Sequence, residues 1–136
     1  MSMEHRFMIC KHCGNIIGMI HDAGVKPVCC GEPMTELVAN TTDAATEKHV
    51  PVVEVEGNEV RVKVGSAPHP MSDEHHIAWI YLQTRHGGQR KALQTGKDAA
   101  ARFLVVDDDA VAAFAYCNLP GLCQAPLRTE QVWGGR

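Results

Sequence analysis

In Val50-Pro51-Val52-Val53-Glu54-Val55-Glu56-Gly57-Asn58-Glu59-Val60-Arg61-Val62-Lys63-Val64, valines alternate with charged residues on both sides of a Gly-Asn pair. Alternation with period two puts valines on one face and charges on the other, and β-branched side chains favour the extended backbone. Gly57-Asn58 is a two-residue turn signal, so residues 50–56 and 59–64 read as the two strands of a hairpin. Further strand candidates follow at regular spacing: residues 76–83, 89–95, 101–106 and 111–117, broken by Gly96 and by Asp107-Asp108-Asp109. Two alanine-rich stretches, 99–104 and 110–115, would favour helix on propensity alone. The regular spacing outweighs that preference and predicts an all-β sandwich or barrel. Residues 65–75, with their glycine, prolines and histidines, read as a loop.

Ahead of the hairpin lies a different kind of segment. Cys10-Lys11-His12-Cys13 is followed by Cys29-Cys30-Gly31. Phe7-Met8-Ile9 leads into the first pair, Ile16 to Ile20 reads as a short strand, and His21-Asp22-Ala23-Gly24 turns the chain back. A unit of this size cannot build an adequate apolar core alone, and small domains of this kind lean on a metal or on disulfides. Cys-x-x-Cys sets two sulfurs on one side of a tight turn, and a second pair returning by a hairpin completes a tetrahedron. Adjacent cysteines would distort that tetrahedron, but a disulfide between them would be strained, so a metal is the easier account. Cys10, Cys13, Cys29 and Cys30 are therefore the expected ligands, and zinc and iron both accept four thiolates. His12 and His21 read as surface residues beside a site already filled.

The small polar stretch Ala39-Asn40-Thr41-Thr42-Asp43-Ala44-Ala45-Thr46 marks a linker. The expected organisation is thus a metal-thiolate β-hairpin module over residues 1–38, a linker over 39–46 and a β-sandwich over 47–136. With 136 residues, 45% hydrophobic and 21% charged, the chain has the composition of an ordinary globular protein. A net charge of −3 without a Lys/Arg cluster gives no reason to expect nucleic acid. No apolar run reaches the length of a membrane span, and Met1-Ser2-Met3-Glu4-His5-Arg6 lacks the apolar core of a signal peptide. The expected compartment is the cytoplasm, where thiols stay reduced and Cys-x-x-Cys points to metal or redox chemistry.

A second group of potential ligands is scattered through the sandwich: His49 in Glu47-Lys48-His49-Val50-Pro51, His69 in Pro68-His69-Pro70-Met71, His75 in Glu74-His75-His76-Ile77, and Cys117 in Tyr116-Cys117-Asn118-Leu119. Histidines with one thiolate suit a redox iron. With the four cysteines of the first segment, these motifs, in this order, resemble desulfoferrodoxin, the two-iron class of superoxide reductase. The N-terminal part is similar to the desulforedoxin module and the remainder to the neelaredoxin-type catalytic domain, so the resemblance spans the whole chain. It implies an immunoglobulin-like sandwich and a ferrous iron with His49, His69 and His75 as equatorial ligands and Cys117 as the axial one. It further implies that Lys48 attracts superoxide and stabilises the developing peroxide, while Glu47 can approach the oxidised iron. Superoxide as substrate, a rubredoxin-like or flavoprotein electron donor and a homodimer belong to the same implication.

One position departs from the family's Cys-Asn-Leu-His-Gly pattern, whose histidine is the fourth equatorial ligand: this chain has Pro120 there. Proline offers no donor, which leaves water, Cys123 or another group in that place, or a site that holds iron less tightly. His76 is expected to face away from the site if a strand begins there. Loss of catalysis would leave an iron-binding electron carrier, and zinc in both sites would make a metal-stabilised structural module. His5 and His86 read as surface residues, Met71 and Trp79 as packing residues, and Asp107-Asp108-Asp109 as a solvated turn without the spacing of a calcium loop.

Overall fold

The computed structural model describes residues 5–39, 50–65, 69–118 and 121–126. The chain divides into two compact units, Met1–Val38 and Ala39–Arg136. Among the described residues there is no helix, and hence none long and apolar enough to cross a membrane.

The first unit holds five short strands: β1 (Arg6–Ile9), β2 (Ile16–Met19), β3 (Val28–Cys29), β4 (Glu32–Pro33) and β5 (Thr35–Glu36). They form a three-stranded sheet in the order β2-β1-β5 and a separate β3-β4 hairpin. Among the described residues its buried apolar side chains are Phe7, Met8, Cys10 and Met34, with Met19 and Cys29 packed against the Met8–Cys10–Met34 cluster. Two of those six side chains are candidate ligands, so this unit has little apolar support apart from Phe7 and its sulfurs.

The second unit is a two-sheet sandwich. Its strands are β6 (Pro51–Glu56), β7 (Glu59–Val64), β8 (Ile77–Thr84), β9 (Gly88–Ala92), β10 (Ala100–Leu104), β11 (Ala110–Cys117) and β12 (Gly121–Pro126). One sheet runs β10-β7-β6 and the other β12-β11-β8-β9. The β6–β7 hairpin has the register its alternation calls for, with Val53 opposite Val62 and Val55 opposite Val60. Val60, Val62 and Val64 are buried, while Glu54 pairs with Arg61 on the other face. Arg61 also reaches Glu56 at 2.8 Å, and Arg102 reaches Glu59 at 2.7 Å, so that outer face is a solvated lattice of charges. The core joins both sheets: Val62 and Phe103 from one, Ile80, Leu82, Ala113, Ala115 and Cys117 from the other.

The alanine-rich stretches became strands β10 and β11 because tertiary position overrides propensity. β11 is an inner strand, paired with β8 on one side and β12 on the other. On its inward face Ala113 lies opposite Leu82 and Ala115 opposite Ile80, so small residues there make room for large neighbours. On its outward face the bulk is reversed. Tyr116 stacks on Trp79 with ring centroids 5.6 Å apart, and Phe114 meets Tyr81 edge-on at 6.1 Å. Strand β12 was not among the strands expected from sequence, because Leu119-Pro120-Gly121 reads as punctuation and the chain beyond it shows no alternation.

In the Asp107-Asp108-Asp109 turn only Asp107 is exposed as expected; Asp108 and Asp109 are half-buried and hydrogen-bonded. Asp107 adopts a left-handed backbone with φ 57°. Asp108 accepts hydrogen bonds from the N–H of His86 at 3.1 Å and of Asp109 at 2.8 Å, tying this turn to the β8–β9 turn.

Candidate metal centres

In the first unit, β1 ends at Ile9 and delivers Cys10 into a tight knuckle. The Gly14 N–H donates to the Cys10 carbonyl at 2.8 Å, and the Cys10 N–H donates to the Asn15 carbonyl at 2.9 Å. That closed loop holds Cys10 and Cys13 on one side. Across from it, Cys29 pairs with Glu32 at the end of the β3–β4 hairpin, leaving Cys30 and Gly31 as its two-residue turn. Both have positive φ, 54° and 78°, the requirement of a type I′ turn. This is how two adjacent cysteines serve one point: the left-handed step at Cys30 turns its side chain back toward that of Cys29.

The four sulfurs lie within 4.8 Å of one another, and none is in a disulfide. Cys13 Sγ is 3.7 Å from Cys29 Sγ. Metal–sulfur bonds of about 2.3 Å put tetrahedral sulfurs roughly 3.8 Å apart, so the spacing fits a four-thiolate site. The Asn15 side-chain amide points at Cys29 Sγ from 3.8 Å. The protonation pattern agrees with a site that needs a cation. The Cys13 N–H, aided by neighbouring donors, holds the Cys10 thiol down to about 6. Hydrogen bonds with Cys10, Cys13 and Cys29 push Cys30 up to about 12. Thiols packed this closely oppose one another's ionisation, and a bound metal is what lets all four ionise together. His12 stays outside the group and meets Glu32 at 2.8 Å on the surface.

In the second unit, His69, His75 and Cys117 present ligand atoms that also lie within 4.8 Å of one another. Cys117 ends β11 and is fully buried, while His69 and His75 come from the 69–76 loop that precedes β8. Cys117 Sγ stands 3.7 Å from His69 Nε2. The two imidazoles meet edge to face, with centroids 4.8 Å apart and planes at 75°. His69 Nδ1 lies 2.7 Å from the Pro70 carbonyl. A carbonyl only accepts, so Nδ1 carries the proton and Nε2, facing Cys117, keeps its lone pair for a metal. Two imidazoles and a thiolate at one buried point fit a redox iron by donor chemistry.

The loop is anchored on several sides. Ser72 N–H donates to the His75 carbonyl at 3.0 Å, and the Gly96 N–H donates to the Met71 carbonyl at 2.7 Å. The Ile77 N–H reaches Met71 Sδ at 3.4 Å, which gives Met71 a holding role beyond packing. A cavity of about 710 Å³ opens beside His69, lined in part by Lys63, Lys97 and Asp98. Neither lysine stands out in the sequence, because no motif surrounds them.

Not every candidate joins the group. His76 turns its Nδ1 to the Ser72 carbonyl at 2.9 Å. Cys123 is fully buried in β12, and its thiol donates to the Ala115 carbonyl at 3.4 Å. Burial, and then the charge of Cys117, push its thiol up to about 12. Among the described residues the group that could hold a metal here is His69, His75 and Cys117, without Cys123. Glu47, Lys48, His49 and Pro120 lie outside the described residues. Asn118, quoted within a motif but given no role in the sequence reading, bonds to the His75 loop from the end of β11.

Comparison with known proteins gives this geometry a family. Residues 41–125 match the model of the family described as Desulfoferrodoxin, and residues 5–37 match that of the Desulfoferrodoxin N-terminal domain. A desulfoferrodoxin homolog of Archaeoglobus fulgidus is 47% identical over 116 residues, covering 85% of this chain and 92% of that protein. The desulfoferrodoxin of Nitratidesulfovibrio vulgaris is 43% identical over 121 residues, covering 89% and 95%. Among solved structures, the superoxide reductase from Treponema pallidum superimposes with a TM-score of 0.76 at 38% identity, covering 92% of this chain and 99% of that one. The superoxide reductase (1Fe-SOR) from Giardia intestinalis covers 61% of this chain and 99% of its own, with a TM-score of 0.53 at 30% identity. With both of its sulfur- and histidine-bearing segments matched in order, the chain belongs to the desulfoferrodoxin family.

Proposed function

We propose that this protein is a superoxide reductase, converting superoxide, one electron and two protons into hydrogen peroxide without evolving dioxygen. The observation that carries the reading is the meeting of His69, His75 and Cys117 at one buried point. These three, with His49, would hold the iron. Iron bound by such a set supplies the electron, and a thiolate among its ligands makes it the better donor to oxygen species.

The rest falls to the chain. The apolar core around Cys117 keeps water from its thiolate, and the bond from His69 to the Pro70 carbonyl fixes the ring's tautomer. Lys48 draws the anionic substrate in and stabilises the charge of the product, and Glu47 is the carboxylate that would approach the oxidised iron. Lys63 and Lys97, at the cavity beside His69, add to the positive field that a small anion meets. An electron donor of rubredoxin-like or flavoprotein type returns the site to its reduced state. The four-thiolate site holds iron or zinc; with iron it relays electrons, and with zinc it holds the small unit together.

The protein works in the cytoplasm as a homodimer. Ile20, Val25 and Val28 are exposed on the small unit, which supports association as a source of extra core.

Rapid mixing of the reduced, iron-loaded protein with superoxide tests the reading. His69→Ala and Cys117→Ser should each remove the fast reaction while the four-thiolate site keeps its metal. Undiminished reaction in both would contradict the assignment of the site.

A further inference from the structure

The ladder between β8 and β11 ends where it is needed most. Its last pair is Ile77 with Cys117, after a register shift between Tyr116 and Cys117. His75 lies two residues before that pair, in a bend outside the ladder, with its N–H donated to Ser72 Oγ at 3.2 Å. Asn118 fills the gap. Its backbone N–H donates to the His76 carbonyl at 3.1 Å. Its side-chain Oδ1 accepts from the His76 N–H at 2.9 Å, and its Nδ2 donates to the Glu74 carbonyl at 2.9 Å. The partners are unambiguous, one a donor only and one an acceptor only, so the amide's orientation is set.

We propose that Asn118 is the positioning residue that fixes His75 against Cys117, its side-chain amide standing in for the peptide group the ladder lacks beyond its last pair. The role rests on the reading that His75 and Cys117 hold the iron. The three hydrogen bonds bracket His75, one at the residue before it and two at the residue after. Asn118 is also bonded in sequence to Cys117. The thiolate and the imidazole therefore share one rigid frame, although they come from positions 42 residues apart. Ser72 closes the same bend from inside, donating its N–H to the His75 carbonyl at 3.0 Å, but it does not connect the bend to β11. Asn118 makes that connection with a group that is both donor and acceptor. Aspartate could replace only half of it: one oxygen would still accept from His76, and the other would face the Glu74 carbonyl.

The test uses the full-length protein. The second-unit iron is identified as the iron that Cys117→Ser fails to hold. Its affinity is measured by chelator competition, its midpoint potential by titration, and the His76 amide by hydrogen exchange in the metal-free protein. Asn118→Ala should weaken iron binding by about 10- to 100-fold, the range expected when a group orienting a ligand is lost. It should also shift the potential and speed His76 exchange. Asn118→Asp should keep His76 protected yet still lose affinity, which separates positioning from general loosening of the fold. Wild-type affinity and potential in both variants would overturn the role of Asn118 alone. A wild-type protein with no iron beyond what Cys117→Ser retains would overturn the site reading, and this role with it.

Discussion

Gly31 shows how much one residue can hold. It occupies the second position of the turn that lets Cys29 and Cys30 address the same point, at φ 78°. An alanine there would be forced into the left-handed region at a cost of about 1–2 kcal/mol. Gly31→Ala is therefore expected to lower metal affinity at the four-thiolate site by roughly tenfold, measured by competition with a chromophoric chelator. Pro120 sits where the family pattern has a histidine, and Pro120→His should raise both iron affinity and the rate with superoxide. If neither changes, the family's fourth histidine has been replaced here by something equally effective.

At this scale the sequence was informative about what can bind and silent about what positions it. Cys10, Cys13, Cys29 and Cys30 declare themselves by spacing, and the structure gathers them. His69, His75 and Cys117 are also brought together, but spacing alone could not have paired them. The Asn118 contacts are illegible for a physical reason: they join backbone groups 42 and 44 residues away, and side-chain-to-backbone bonds across strands leave no periodic trace. Cys123 shows how sequence distance and structural place can differ. Its closeness to Cys117 in sequence suggests a spare ligand, whereas its place in β12 commits its thiol to a backbone carbonyl.

The elements were legible where alternation and turn chemistry agree. Residues 50–64 predicted β6, β7 and the turn between them, because from Val53 onward valine and charge alternate on both sides of Gly57-Asn58. Elsewhere composition and spacing disagreed and spacing was right: the alanines of β11 favour helix by propensity, yet they lie in a strand with Ile80 and Leu82 opposite Ala115 and Ala113. Strand β12 was missed because β-pairing with β11 supplies what its own sequence lacks.

The turn before β11 carries a prediction of its own. Burial raises the Asp108 carboxyl, but hydrogen bonds from Thr84, Asp109 and His86 outweigh it and hold the group below its usual value. A depressed carboxylate stabilises the fold above its unfolded pKa and loses that contribution as pH falls through the folded value. Asp108→Ala should therefore lower the melting temperature at pH 7, with the gap to wild type closing as the pH falls below about 4. A gap independent of pH would mean that Asp108 acts through packing alone.

On the scale of the whole chain, two compact units have cores of different character. The sandwich is held by a broad apolar core in which Phe103 is almost wholly buried. Phe103→Ala should cost about 3–5 kcal/mol in the unfolding of that unit, read from denaturant curves. The small unit depends on its sulfurs, so stripping its metal should abolish amide protection in β1 and β2 while β7, β8 and β11 stay protected. Protection surviving in β1 and β2 would show an apolar core stronger than Phe7, Met8, Met34 and Met19 suggest.

The claim that binds these scales together is that a buried His/Cys site reduces superoxide instead of dismutating it. Product stoichiometry tests this directly: a known quantity of superoxide is mixed anaerobically with excess reduced, iron-loaded protein, and peroxide and dioxygen are both measured. The account predicts one peroxide for each superoxide consumed, no dioxygen above background, and loss of the reaction in Cys117→Ser. Dioxygen evolved in proportion to peroxide would contradict it, as would peroxide no greater than in the Cys117→Ser control.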